Sequence, residues 1–157
     1  MKKRFKIILV FAVLCILYHF YSKANFEFDQ AIHYSLTDKK TEKIPFDDSL
    51  VFGNFPYVIS DTLFIAKLEK KGFEKKQIDK SRNEQLKSIL TSNFGITMGI
   101  KKCETVYRDI IVLKTNKKIT AIAKICFGCG KHQFLGNDFY ECNFDKYDDL
   151  EKLLYSK

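Results

Sequence analysis

The sequence predicts an α+β domain behind an N-terminal export segment, and three observations predict it. The chain opens with basic residues followed by the uninterrupted apolar run 7–18. Two apolar strand patterns meet at a two-residue turn between residues 107 and 126, and amphipathic helix patterns lie on both sides of that hairpin. We therefore expect a small two-layer domain with a mostly antiparallel sheet and two or three helices. A hydrophobic content of 46% is ample for its core.

Residues 1–24 have the features of a signal peptide or a signal anchor. The basic residues before the apolar run are Lys2, Lys3, Arg4 and Lys6. Only Lys23 follows closely, an asymmetry that orients the amino terminus inside and the domain outside. Ser22-Lys23-Ala24 has the form of a cleavage site, whereas an uncleaved segment would contact the membrane through residues 7–21. Both alternatives predict an extracytoplasmic domain, periplasmic or on the cell surface.

The basic charge of the chain belongs largely to this leader. The net charge of +8 comes from 27 Lys and Arg against 19 Asp and Glu. Five of the basic residues precede Asn25, so 22 remain against 19 acids and the net charge falls to +3. We therefore predict no nucleic-acid partner. A local excess remains over 67–87, which indicates either a solvated face or an anionic partner.

The segments after the leader are weakly patterned at first. Residues 25–48 are polar and predict a tether with a short packing segment, in which Ile32 and Tyr34 are candidate docking residues, and residues 49–157 form the predicted globular domain. A hairpin is expected over 50–59 with its turn at Gly53-Asn54, and Pro56 would confine its second strand to a sheet edge. Residues 61–72 fit a helix or a strand equally well.

A helix is predicted from about Arg82 to Asn93, because Ser81 and Glu84 form a capping box. The next strand is expected over 96–100. After the central hairpin, 132–135 predicts a short strand. A last helix should start near Asp145, with four residues facing inward: Tyr147, Leu150, Leu153 and Leu154.

The hairpin 107–126 should lie at the centre of the sheet, since both of its faces are largely apolar. Its turn at Asn116-Lys117 predicts that Val112 faces Ala121. The same register places Asp109 opposite Lys124. Carried further, it places Cys103 opposite Gly130, close to Cys126 and Cys129.

The stretch from Cys103 through the hairpin to Cys126-Phe127-Gly128-Cys129 resembles small exported bacterial proteins of unassigned function. In those proteins a Cys, a hairpin and a Cys-Phe-x-Cys ending occur together. The resemblance covers about a sixth of the chain and implies an exported α+β domain. Cys142 lies outside the shared pattern.

Several chemistries compete for the candidate residues Cys103, Cys126, Cys129 and Cys142. An exported location favours structural disulfides, and the register predicts that Cys103 bonds to Cys126 or Cys129. A zinc site is the second interpretation, because Cys-x-x-Cys-Gly has the shape of a zinc knuckle and His132 could add a ligand. Thiol–disulfide exchange is the third, although glycines surround the motif where a redox protein would start a helix. The fourth is that the cysteines are reduced and buried.

Catalytic patterns are otherwise weak. Only three histidines occur, and the sequence contains no phosphate loop, nucleophile elbow or histidine-carboxylate metal pattern. The sequence thus favours a non-enzymatic envelope domain that binds a partner, such as another protein, or adds structure, without a cofactor. The alternative is a small zinc or redox protein that uses Cys126 and Cys129.

Overall fold

The computed structural model describes residues 27–53, 55–59, 63–91, 104–136 and 146–156. Within these residues the strands are β1 (Gln30–Ser35), β2 (Glu74–Gln77), β3 (Asp109–Thr115), β4 (Lys118–Cys126) and β5 (Lys131–Gly136). The helices are α1 (Asp38–Thr41), α2 (Leu63–Lys70), α3 (Asn83–Leu90) and α4 (Tyr147–Tyr155), and a 3₁₀ turn, Lys80–Arg82, precedes α3. The predicted strand at 96–100 lies outside the described residues.

The five strands form one antiparallel sheet in the order β2-β1-β3-β4-β5. This confirms an α+β domain with an antiparallel sheet. The hairpin of β3 and β4 lies at the centre, as predicted. Its turn is also confirmed: Asn116 and Lys117 have φ values of 52° and 68°, which is the geometry of a two-residue type I′ turn.

The predicted register of this hairpin is wrong by one residue over most of its length. Next to the turn, Lys114 pairs with Ile119, but Leu113 then pairs with Ala121, so Thr120 is an extra residue in β4. This β-bulge shifts every later pair. Lys124 consequently faces Ile110 instead of Asp109. Because side chains alternate between the two faces of a strand, this shift also moves each later β4 side chain to the opposite face from the one predicted relative to β3.

Helices cover both faces of the sheet, so the predicted two layers become three. On one face, α3 and α4 contribute buried leucines that pack on Ile111 and Ile125. On the other face, α2 packs through Phe64 and Leu68, together with the loop residues Leu50 and Val51. The alternation of β3 side chains between these two clusters explains why all of its central residues are apolar.

The segment 25–48 is more than the predicted tether. It contains β1, which lies between β2 and β3 and buries Ala31, Ile32, His33 and Tyr34. Residues 50–53 and 55–59 form turns instead of the predicted hairpin strands. The turn at Val51 is nevertheless bonded to the rest of the domain, because the carbonyl oxygen of Val51 accepts a hydrogen bond from the amide of Tyr107 at 2.8 Å.

The helices follow local sequence rules with one correction. Within the ambiguous segment 61–72, Leu63–Lys70 forms the helix α2, which is followed by Gly72 with a φ of 83°. The capping box at Ser81 is wrong: the carboxylate of Asp79 accepts a hydrogen bond from the amide of Ser81 at 2.8 Å, and the 3₁₀ turn begins at Lys80, two residues before the predicted helix start at Arg82. In α4, Leu150, Leu153 and Leu154 are buried as predicted. No helix among the described ranges is long and apolar enough to cross a membrane.

Candidate functional site

The Cys-x-x-Cys motif lies in a tight turn at the end of β4. The amide of Cys129 donates to the carbonyl of Cys126 at 3.2 Å, and both side chains are buried in one cluster with Tyr107. Cys126 is a free thiol, whereas Cys129 is disulfide-bonded. The two cysteines are therefore not bonded to each other. The sequence predicts a bond from Cys103 to Cys126 or to Cys129; the free thiol of Cys126 leaves Cys129 as the candidate, and Cys103 lies outside the described residues.

The partner of Cys129 lies outside the described residues, as do two of the candidates, Cys103 and Cys142. Within the described residues, the sulfur of Cys129 lies 3.1 Å from the carbonyl oxygen of Glu104. A disulfide sulfur has no hydrogen to donate, so we treat this distance as a van der Waals contact. The contact brings the 104–108 segment against the turn. Tyr107 bonds to Val51 there, so the hairpin ladder ends at Asp109 and does not continue toward Cys103.

His132 lies on β5 and contacts α4. Its Nδ1 is 2.6 Å from the hydroxyl of Tyr147, and the two rings are 6.0 Å apart. Burial raises the pKa of Tyr147 to about 12, with smaller contributions from Cys126 and Tyr107. The described part of the chain contains no group of three or more His, Cys, Asp or Glu side chains that could hold a metal ion. The hydrogen bond of His132 to Tyr147 joins β5 to the first turn of α4.

Lys124 is a buried cation that the sequence analysis placed against the wrong partner. It is 0% exposed, and its Nζ donates to the carbonyl oxygens of Gly53 at 2.6 Å and Phe55 at 2.9 Å. The Nζ also lies 4.5 Å from the centroid of the Tyr107 ring. Desolvation lowers the pKa of Lys124 to about 7, against an opposing effect of the Asp48 carboxylate. The amine ties the loop 53–55 to the sheet beside the cysteine turn.

A second buried polar cluster lies on the opposite face of the sheet and was missed. The Nε2 of His33 in β1 lies 2.8 Å from Oδ1 of Asp109 in β3. The hydroxyl of Tyr155, at the end of α4, donates to the same oxygen at 2.5 Å. His33 and Asp109 are only 2% and 5% exposed. The cluster joins two strands and the last helix.

Both clusters hold their polar groups on partners within the protein. The Lys124 amine donates to two backbone carbonyls, and Asp109 accepts from two side chains, so the hydrogen-bonding groups of both clusters have partners. For the cluster around Lys124, the signal in the sequence was the presence of a lysine within the apolar run of β4. His33 gave no such signal, because its partner is 76 residues away. These arrangements are typical of groups that position structural elements.

Comparisons of the chain with protein-family models, curated proteins and solved structures found no match.

Proposed function

We propose that the chain is an exported domain of the cell envelope, clamped by a disulfide, that binds a ligand and does not catalyse a reaction. One observation carries this proposal: Cys129 is disulfide-bonded although its neighbour Cys126 is free. Disulfides persist in oxidising compartments and are rare in the cytosol. The proposal therefore agrees with the export segment predicted at residues 1–24.

We propose Cys103 as the partner of Cys129. Cys103 directly precedes Glu104, whose carbonyl oxygen lies 3.1 Å from the Cys129 sulfur. Consecutive Cα atoms are about 3.8 Å apart, and a disulfide joins Cα atoms about 4.4–6.8 Å apart. A partner one residue before Glu104 is therefore compatible with these distances, which supports the choice of Cys103. A disulfide that closes the loop between Cys103 and Cys129 would stabilise the fold by on the order of 3 kcal/mol.

The thiol-exchange alternative has weaker support. An exchange site needs a reactive, accessible thiolate that can form a disulfide with its neighbour in the motif. Cys126 is 6% exposed and packs against Tyr107. A buried thiol beside an already bonded cysteine supports a structural role for the turn.

A topology reporter tests the location. Alkaline phosphatase fused after Lys157 folds only in an oxidising compartment, so the full chain should give an active fusion in a bacterial host. A matched fusion in which Lys2, Lys3, Arg4 and Lys6 are replaced by Glu should lose most of that activity, because the charge asymmetry is removed. An inactive parent fusion at normal protein level would contradict the proposal.

A further inference from the structure

A groove of about 700 Å³ runs between the C-terminal half of α2 and the segment 40–50. Five lysines from two separate segments line it: Lys40, Lys43, Lys67, Lys70 and Lys71. Among the residues that the structure describes, Asp48 is the one acidic residue in its lining. Ligand pockets are typically about 300–1,000 Å³, so the groove is large enough for a small molecule.

The lysines of the groove are unevenly neutralised. Lys71 forms an ion pair with Asp48, and Lys40 forms one with Glu74 at 3.0 Å. Lys43 and Lys70 have no ion-pair partner among the described residues. The dipole at the C-terminal end of α2 favours Lys70. It does not act on the lysines of the facing segment, so the groove carries a positive charge from both of its sides that an anion would neutralise.

The groove also has an apolar part. Ile44, Pro45 and Phe55 belong to its lining, and the Nζ of Lys67 lies 4.0 Å from the centre of the Phe55 ring. The Phe55 ring in turn packs on Phe64 of α2, with centroids 6.0 Å apart. An aromatic wall held in this way gives an apolar ligand segment a fixed surface beside the ammonium groups.

We propose that this groove binds an amphiphile with a phosphate monoester head group and an apolar tail, taken up as a single molecule. A phosphate monoester carries about −1.5 to −2 charges at neutral pH, enough to neutralise Lys43 and Lys70 together. Lysine binds phosphate as a point charge. The tail lies along Ile44, Pro45 and Phe55. The proposal rests on the binding role proposed above, and not on the export or the disulfide.

Lysine footprinting of the full chain in nanodiscs of neutral phosphatidylcholine tests the proposal. Octyl phosphate should slow acetylation of Lys43 and Lys70 severalfold. Octyl glucoside, with the same tail and an uncharged head, and inorganic phosphate, with no tail, should each have little effect. Lys117 and Lys118, exposed at the β3–β4 turn, serve as internal controls and should react at an unchanged rate.

Paired variants complete the experiment. Octyl phosphate should also slow acetylation of Lys67, which lines the same groove. Lys43→Glu with Lys70→Glu should abolish this protection of Lys67, whereas Lys117→Glu with Lys118→Glu should keep it. Equal protection by octyl glucoside or by inorganic phosphate would overturn the proposal, as would protection of Lys117 and Lys118. Protection by anionic lipid vesicles without protection by octyl phosphate would overturn it too. If the phosphatase fusion is inactive but the footprint is as expected, the export proposal is contradicted and the groove proposal stands.

Discussion

Lys124 shows how one residue can be both deeply buried and chemically satisfied. A neutral amine still has two N–H donors, the number needed for the carbonyls of Gly53 and Phe55. Loss of its proton therefore keeps both hydrogen bonds and removes a buried charge. This is the physical reason that its pKa falls from 10.5 to about 7.

This pKa predicts a pH dependence of stability. Between about pH 7 and 10, the unfolded chain keeps the lysine proton that folded Lys124 has released, so the free energy of unfolding rises with pH. Lys124→Met removes that contribution. In this window the free energy of unfolding of the parent should rise relative to that of the variant by about 1.4 kcal/mol per pH unit, measured by urea unfolding. Lys118→Met, at an exposed lysine of the same strand, should show the same pH dependence of stability as the parent. If the stability of Lys124→Met changes with pH in parallel with that of the parent, the lowered pKa of Lys124 is refuted.

Tyr155 is the second residue with a defined energetic role. Its hydroxyl donates to a carboxylate that also contacts His33, and its ring meets the His33 ring edge-on at 5.4 Å. Burial and the Asp109 carboxylate raise the pKa of Tyr155 above the usual range. Tyr155→Phe should reduce the free energy of unfolding by about 1–2 kcal/mol, since hydrogen bonds to charged groups contribute more than neutral ones.

Tyr57→Phe is the matched control for that substitution. Tyr57 is 72% exposed, and exposed substitutions change stability by about 0.5 kcal/mol or less. Equal urea midpoints for both variants would mean that the Tyr155 hydroxyl does not stabilise the cluster.

At the scale of elements, the Thr120 bulge decides which residues meet. The alternation of apolar residues correctly indicated two buried faces, but alternation alone does not reveal an inserted residue. The hydroxyl of Thr120 lies 3.4 Å from the carbonyl oxygen of Leu113, the residue at which the register shifts. The bulge thereby aims Lys124 at the loop 53–55 instead of at Asp109.

The end of α2 gives a prediction at the same scale. Gly72 has a φ of 83°, a conformation that a residue with a Cβ adopts only with strain. Gly72→Ala should therefore lower the free energy of unfolding by about 1 kcal/mol. Gly128→Ala is the control, because Gly128 lacks a positive φ and an added Cβ would have no atom within 4 Å. Equal thermal midpoints for the two variants would show that the α2 terminus is not held in this conformation.

At the scale of the whole molecule, sequence reasoning succeeded where the determining interactions are local. The β3–β4 turn and the last helix depend on neighbouring residues, and both were predicted. The strand β1 was missed because its partners lie in β2 and β3, about 40 residues or more away in the chain. His33 and Lys124 were likewise positioned by partners about 70 residues distant.

The cysteines combine local and distant determinants. The hairpin predicts that Cys103 lies beside Cys126 and Cys129, and Cys103 is outside the described residues; the structure places Cys126 and Cys129 in one buried cluster with Tyr107. The hairpin pairing does not continue toward Cys103 as predicted. Residues 104–108 leave the ladder and contact Val51 and the cysteine turn instead. The account of the whole domain as a disulfide-clamped exported protein depends on which two sulfurs are joined.

Peptide mapping of the full chain without reduction tests this most directly. Alkylation of the folded protein, followed by a second, mass-distinct alkylation after unfolding, separates accessible from buried thiols. We predict a Cys103–Cys129 linked peptide, with Cys126 labelled only after unfolding because it is 6% exposed. A peptide linking Cys126 to Cys129, or Cys129 recovered as a free thiol, would contradict the account.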